Sequence, residues 1–331
     1  MIAVSRDLGW MMLILLLPMS FVSLPNYSPE NQFVWESDSD PASFDPHTDL
    51  SSYDARILYN IYETLYTYPW NKNEAEPLLP LLAAEPPSIT ADGRNYTVRL
   101  RQEIKFHDNT PFNASCVKWN IERAMKIFHL NGSISLLAEA LRDGWQMQEA
   151  AAINGTSSDT FKAAFDNWVE NSSSIEAINT YEVRFILEDA YTPFIHLLAH
   201  PLLSMMSPTY VLSNSNDDRG PMGSHWGVEY GEVHTYMETY TCGTGPYMLT
   251  EWRQNEFIRL DLFEDYWRSF AAEPFITPPA YAGSIEKIWY KTNSDKTGRL
   301  VNLRTGLADV VDWPTANALE VWDNVTLSSK A

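Results

Sequence analysis

The chain has 331 residues, of which 45% are hydrophobic, and this composition suits one large or two ordinary folded domains and argues against disorder. Its formal net charge is −20, so the chain lacks the basic surface that neutralises nucleic-acid phosphates, and nucleic acid is excluded as an expected partner. The two cysteines, Cys116 and Cys242, are too few for a disulfide framework, and either a single bond or two free thiols fits them.

Residues 1–25 are predicted to be a signal peptide or an N-terminal anchor. Arg6 precedes a short apolar run, 10–17, which Pro18 ends. No other apolar run in the sequence is long enough to span a membrane. The protein is therefore expected to be exported, either to the periplasm or to the extracellular face of the membrane, where the N-terminal segment would anchor it if retained.

The predicted elements of the first half begin with a short strand at 33–35 and a helix around 57–65, where apolar residues recur at helical spacing. After the turn dipeptide Asp92-Gly93, apolar and polar residues alternate over 96–100, which is typical of a half-buried strand. A further turn then leads to a helix for which Asn113, or Ser115, is the expected cap.

The later elements follow from the same periodicities and turn signals. The predictions, in chain order, are helices at 135–152 and 160–169, a strand at 183–187, a hairpin formed by 247–252 and 257–262, a strand at 285–290, a helix at 294–306 ended by Gly306, and a last short helix at 315–322.

Three blocks of this pattern resemble, in the same order, the extracellular solute-binding proteins of family 5, which serve peptide-type and nickel-type ABC importers. The blocks are 90–125, with its Phe106-His107-Asp108 turn; 242–268, which opens with Cys-Gly-Thr-Gly-Pro-Tyr; and 285–312. The chain departs from the family pattern at Asn109 and near Asn255, where the family has glycine, and at Cys116, where it has aspartate. Asparagine is the next best residue for a left-handed turn, so the first two changes are mild.

The resemblance implies an α/β fold of the type II periplasmic-binding-protein architecture, with a mixed sheet. It also implies that one lobe is largely present and the second is missing, so the chain resembles a C-terminally truncated member. The implied first lobe is discontinuous, 32–69 plus 201–331, with an inserted subdomain at 70–200. An incomplete gene model, a separately encoded C-terminal lobe and a degenerate remnant are the three explanations for the short chain.

The function that the resemblance implies is capture of a peptide or similar small solute for an ABC permease, without a cofactor and without chemistry on the ligand. Hinge closure around the ligand would be the mechanism. A ligand-sensing or interaction protein of the same fold is the alternative, followed by a secreted glycoside hydrolase. The residues that the resemblance places at the ligand cleft are Leu50, Ser52, Tyr53, His200, Thr244, Gly245 and Tyr247.

Two other patterns are weaker indications of chemistry. His196 and His200 have the i, i+4 spacing of zinc ligands, but no glutamate follows the first histidine and no third ligand is evident, so no metal site is predicted. His107-Asp108 has the composition of an acid–base pair, but the resemblance makes it a turn motif.

Overall fold

The computed structural model describes residues 31–48, 52–69, 78–129, 133–215, 218–234, 236–268 and 285–313. The predicted signal peptide or anchor at 1–25 and the predicted last helix at 315–322 lie outside these ranges. Within them, no helix is both long enough and apolar enough to cross a membrane.

One five-stranded mixed sheet draws its strands from both ends of the described chain. Strand β1, Gln32–Ser37, runs parallel to both of its neighbours, β10, Lys287–Thr292, and β11, Val310–Val311. On the other side of β10 the sheet continues antiparallel with β9, Phe257–Leu262, and then β8, Tyr247–Arg253. The strand order is therefore β11-β1-β10-β9-β8, and the predicted mixed sheet and the predicted hairpin are both confirmed.

A second, wholly antiparallel sheet forms from the middle of the chain. It consists, in spatial order, of β4, Ser88–Ile89; β5, Asn95–Arg99; β7, Glu182–Ile186; and β6, Ile175–Asn179. A separate short pairing joins β2, Tyr66–Thr67, to β3, Leu79–Pro80. The alternation of Tyr96 and Val98 with exposed or half-buried neighbours places one face of β5 in the core, as the sequence pattern predicts.

The helices cover these sheets. In chain order, the α-helices of the described residues are α1, Ser52–Ile61; α2, Ala114–Ile127; α3, Ser133–Ala140; α4, Trp145–Asn154; α5, Asp159–Asn171; α6, Phe194–Leu197; α7, Pro208–Asn214; and α8, Lys296–Thr305. A 3₁₀ turn at Pro201–Leu203 lies between α6 and α7. One continuous cluster of buried apolar side chains includes residues of both sheets, such as Val98 and Leu260, so the helices and the two sheets share a core.

The prediction of one continuous helix over 135–152 is wrong, because the chain turns between α3 and α4. Asp143 has a positive φ of 60°, and a Cβ on Gly144 would lie 2.3 Å from the carbonyl oxygen of Ala138. Gly144 therefore permits a close approach of two backbone segments that any larger residue would block. The dipeptide Asp143-Gly144 was the turn signal in the sequence that the helical periodicity obscured.

The turn and cap residues behave as the sequence predicts. Asn109 and Asn255 have φ of 64° and 61°, the left-handed conformation that the family's glycines would occupy. Asn113 caps α2, and its side-chain oxygen accepts from the backbone N–H groups of Ser115 at 2.9 Å and Cys116 at 3.2 Å. Gly306 ends α8 with a φ of 75°.

Candidate functional site

The first turn of α1 lies at the edge of the mixed sheet where its parallel strands end. The hydroxyl groups of Tyr53 on α1 and Ser37 at the end of β1 are hydrogen-bonded, with 2.9 Å between the two oxygens. Burial raises the pKa of the half-buried Tyr53 phenol to about 12, so the hydroxyl stays protonated and can act as a hydrogen-bond donor. In α/β proteins, ligands commonly bind outside this carboxyl edge.

Arg56 is a positively charged side chain at the same edge of the sheet. Its guanidinium lies 5.2 Å from the ring centroid of Trp35 and 5.8 Å from that of Tyr53, and one of its nitrogens lies 2.7 Å from a carboxylate oxygen of Asp312. The indole N–H of Trp35 donates to the same carboxylate at 3.2 Å. We refer to Trp35, Ser37, Tyr53, Arg56 and Asp312 together as the Tyr53 surface.

The buried side chain of Arg299 holds the strand ends beneath the Tyr53 surface. Its guanidinium donates to the carbonyl oxygen of Asn293, just after β10, at 2.5 Å and to that of Asp312, just after β11, at 3.1 Å. Carbonyl groups just beyond the ends of strands need hydrogen-bond donors from outside the sheet, and Arg299 supplies them here. This arrangement fixes Asp312 and, through it, the position of Arg56.

Two of the other residues predicted to line a cleft, Thr244 and Gly245, meet the opposite end of α1. The backbone N–H of Gly245 donates to the carbonyl oxygen of Ile61 at 2.9 Å, and a Cβ at this glycine would lie 2.7 Å from that oxygen. Tyr53 and Ile61 are eight positions apart on the helix, which corresponds to a rise of about 12 Å. The structure therefore places Tyr53 and the Thr244-Gly245 loop at two ends of one helix and not side by side.

Glu63 is a buried carboxylate that the sequence analysis did not assign to the site. It accepts hydrogen bonds from the Thr244 hydroxyl at 2.9 Å, the Tyr266 hydroxyl at 2.7 Å and the Trp267 indole N–H at 2.8 Å. Burial raises its pKa from the ordinary value, while the three donors act in the opposite direction. The signal in the sequence was an acidic residue in a segment, 61–66, that is otherwise uncharged and mostly apolar or aromatic. Glu63 holds the loops after β9 and before β8 against the end of α1.

The side chain of His107, in the turn that follows strand β5, is hydrogen-bonded to the loop that contains Thr244 and Gly245. Its Nε2 lies 2.9 Å from the carbonyl oxygen of Gly245, and its Nδ1 accepts from the backbone N–H of Gly243 at 3.3 Å. Burial lowers its pKa to about 4, so the ring is neutral and carries its proton on Nε2. Asp108 accepts from the hydroxyl of Ser207 at 2.7 Å. Both side chains thus have structural partners in the turn that the resemblance implies.

A buried ion pair positions the loop that precedes α1. Arg123 of α2 donates to the two carboxylate oxygens of Asp45 at 2.9 and 2.5 Å, and both side chains are completely buried. Burial disfavours the charged carboxylate, but Arg123 and the backbone N–H of His47 outweigh burial and hold the pKa of Asp45 below its ordinary value. Burial lowers the pKa of His47 to about 3, and its Nε2 lies 3.1 Å from the carbonyl oxygen of Ser204.

The remaining predicted site residues are dispersed. Tyr247 donates its hydroxyl to the carbonyl oxygen of Ile285 at 2.9 Å, and the Nε2 of His200 lies 3.0 Å from the hydroxyl oxygen of Ser133. Leu50 and the side chain of Ser52 lie outside the described part of the chain. The predicted assembly of one cleft from all seven residues therefore stays a prediction.

Among the described residues, the side chains of His196 and His200 have different partners, and Cys116 and Cys242 form no disulfide bond. The Nδ1 of His196 lies 3.2 Å from the hydroxyl oxygen of Tyr68, whereas the Nε2 of His200 faces Ser133. Within the described ranges, no three His, Cys, Asp or Glu side chains lie close enough together to hold a metal ion. Cys116 and Cys242 are buried and unbonded, which decides between the two alternatives left open by the sequence.

A family model and the curated relatives that resemble this chain in sequence are all solute-binding proteins. The family model for bacterial extracellular solute-binding proteins, family 5 Middle, matches residues 78–327. The glutathione-binding protein GsiB of Escherichia coli K12 is 27% identical over 289 residues, which are 85% of this chain and 43% of that protein, and GsiB of Shigella flexneri has the same figures. The chain thus spans less than half the length of these relatives.

Solved structures share the fold. DppA from Helicobacter pylori in complex with the peptide STSA has a TM-score of 0.60 at 24% identity, over 89% of this chain and 49% of that one. The murein tripeptide binding protein MppA of Escherichia coli has a TM-score of 0.64 at 16% identity, over 90% and 49%. NikZ from Campylobacter jejuni with Ni(L-His) has a TM-score of 0.61 at 18% identity, over 90% and 46%.

These likenesses confirm the periplasmic-binding-protein fold that the sequence implies. They give no support to a glycoside hydrolase or to a separately encoded C-terminal lobe. At these identities the solved structures establish the architecture alone.

Proposed function

Because the chain belongs to the bacterial extracellular solute-binding proteins of family 5, we propose that it captures a short peptide or a similar small solute for an ABC permease. The observation that carries this proposal is the family match over 78–327. The relatives bind glutathione, the peptide STSA or Ni(L-His), according to their descriptions. These ligands are all built from amino acids, so a ligand of this chemistry is proposed here. The protein works outside the membrane and does not alter its ligand.

The Tyr53 surface is the proposed contact for the ligand. Its position at the carboxyl edge of three parallel strands is the usual position of ligands in α/β proteins. The half-buried rings of Trp35 and Tyr53 supply apolar area, and the protonated phenol of Tyr53 supplies a hydrogen-bond donor. Leu50 and Ser52, which adjoin Tyr53 in the chain, are proposed to line the same surface.

Thr244, Gly245 and Tyr247 have a different proposed role, at the border of the cleft. They contact Glu63, the end of α1, His107 and Ile285, and these contacts hold the loop in place. We propose that the Glu63 network keeps α1 and the loop together while the ligand is bound. His200 is proposed to reach the cleft from the side of Ser133.

The test is saturation-transfer NMR of this chain with glutathione and a set of unlabelled tripeptides, a method that detects weak binding. We expect magnetisation transfer to at least one peptide and a clear reduction in the Tyr53→Ala variant. The matched control is Tyr59→Ala, because Tyr59 lies on the same helix with 54% of its surface exposed and outside the Tyr53 surface. Equal transfer in the two variants would refute the site, and absence of transfer from every peptide would refute the ligand class.

A further inference from the structure

A surface groove of about 500 Å³ lies on the middle segment of the chain, between helices α3 and α4 and the turn that follows β7. It shares no residue with the Tyr53 surface. Two backbone hydrogen bonds hold its walls together: Glu188 N–H donates to the carbonyl oxygen of Ala140 at 2.9 Å, and Arg142 N–H donates to that of Ile186 at 3.0 Å. The groove is therefore a fixed feature of the fold.

The groove exposes large apolar side chains to solvent. Leu136 and Trp145 retain 48% and 46% of their surface accessible, and the half-buried ring of Tyr191 lies in the same cavity. Isolated apolar side chains on a surface are normal, but two that line one cavity form a candidate contact patch. An exposed indole face also attracts cations.

Carboxylates surround this apolar patch. Glu139, Glu188 and Asp189 all line the groove. Glu188 accepts the backbone N–H of Asp143 at 3.0 Å, and Asp189 has only a 3.5 Å contact with Arg94, with its own side chain 93% exposed. Within the described ranges, no cationic side chain lies at ion-pair distance from the carboxylate of Glu139 or Glu188. Glu139 and Glu188 therefore keep negative charge in the groove that no direct ion pair with a described residue neutralises, whereas Asp189 has Arg94 as a neighbour.

We propose that this groove receives a basic segment of a partner protein, with lysine or arginine side chains next to an aliphatic residue such as leucine. The aliphatic stem of such a side chain covers Leu136 and Trp145, and its charged end reaches Glu139 and Glu188. A protein segment fits better than a free small cation, because the groove is open and roughly half of each apolar wall stays in contact with solvent. The inference is independent of the proposed solute-binding role, since it concerns a different surface.

The experiment measures binding of a blocked, fluorescently labelled heptapeptide, in which lysine, leucine and arginine alternate, by fluorescence anisotropy with the full chain. We expect saturable binding that weakens about threefold in Trp145→Ala and about fivefold in the double variant Glu139→Gln with Glu188→Gln. The control for charge is Glu149→Gln, since Glu149 is an exposed acid of α4 that does not line the groove. A peptide with glutamate in place of the basic residues should not bind.

Each other outcome would overturn the proposal. If Glu149→Gln weakens binding as much as the groove variants do, the attraction comes from the overall negative charge. If only Tyr53→Ala weakens it, the peptide occupies the proposed solute site. If lysine amide competes as strongly as the whole peptide does, the groove takes a small cation and not a protein segment.

Discussion

Glu63 is the residue on which three distant segments of the chain meet. Its donors are 181, 203 and 204 positions away in sequence, and all of them act on one buried carboxylate. A buried charge is costly unless it is well hydrogen-bonded, and here the donors only partly offset the burial, so the pKa remains raised. Glu63 therefore joins these segments, but burial of its charged form lowers the free energy of unfolding at neutral pH.

We predict that Glu63→Gln flattens the dependence of stability on pH. A carboxyl group whose folded-state pKa is raised contributes stability below its unfolded value, near 4.5, and loses this contribution as pH rises through the folded value. The free energy of unfolding of the native chain should therefore fall relative to that of the Gln variant as pH rises above this value. Urea unfolding of both proteins at a series of pH values measures the difference.

The glutamine side chain can still pair with Thr244, Tyr266 and Trp267, because its oxygen accepts and its amide group can donate to the tyrosine oxygen. Glu63→Ala is the contrasting variant, since it leaves these donors without a partner, at about 1–3 kcal/mol for each buried group. Parallel pH profiles for the native and Gln proteins would show that Glu63 carries no raised pKa.

The Asp45–Arg123 pair is the second buried charge with a testable energy. Arg123→Met leaves the Asp45 carboxylate buried without its cation, so we expect a loss of about 3–5 kcal/mol in the free energy of unfolding. The double variant Asp45→Leu with Arg123→Met removes both charges and should lose clearly less than the sum of the two single variants. Chemical unfolding of the four proteins forms the cycle, and strict additivity would mean that the two side chains do not interact.

At the scale of elements, the loop Gly243–Gly245 packs directly against the backbone at the end of α1. A Cβ on Gly243 would lie 2.1 Å from the carbonyl oxygen of Ile61, and neither glycine is among the residues with positive φ. The structure shows that close approach to the helix, and not a left-handed conformation, is the reason for them.

Gly243→Ala should therefore displace the loop or the helix end and lower the free energy of unfolding by about 1–3 kcal/mol, the usual cost of overpacking. The control is Gly306→Asn at the end of α8, where a Cβ has open space and asparagine tolerates the left-handed backbone. The free energy of unfolding should fall less in Gly306→Asn than in Gly243→Ala. Thermal and urea unfolding of both variants measure this, and equal losses would argue against the close approach.

At the scale of the whole molecule, the net charge of −20 and the shared core act in opposite directions. Burial of apolar side chains holds the two sheets together, whereas like charges on the surface repel one another. Salt shortens the range of this repulsion, since the Debye length falls from about 30 Å at 0.01 M to about 10 Å at 0.1 M.

We expect the melting temperature of the chain to rise as sodium chloride increases from about 0.01 M to about 0.1 M, because screening relieves this repulsion. Calorimetry at fixed pH measures the shift, and potassium chloride serves as the control for an effect of the particular cation. A melting temperature that falls over this range would mean that attractive ion pairs, such as Arg56–Asp312, outweigh the net repulsion.

The sequence by itself determined most of the local structure, although not the break between α3 and α4, and it determined the family. The hairpin at 247–262, the cap at Asn113 and the left-handed turns at Asn109 and Asn255 all depend on residues a few positions apart, so periodicity and turn chemistry were sufficient to predict them. The three blocks of residues with family spacing predicted the fold for the same reason, since each is a local pattern.

The tertiary structure alone decided which distant residues meet. It paired Glu63 with the loops after β9 and before β8, enclosed Arg123 with Asp45, and separated Tyr53 from Thr244 by the length of α1. Hydrogen bonds and ion pairs of this kind link segments dozens to hundreds of positions apart, and their partners depend on packing that no short pattern contains. The physical reason is that a side chain's environment is set by neighbours in space, of which only a few are neighbours in the chain.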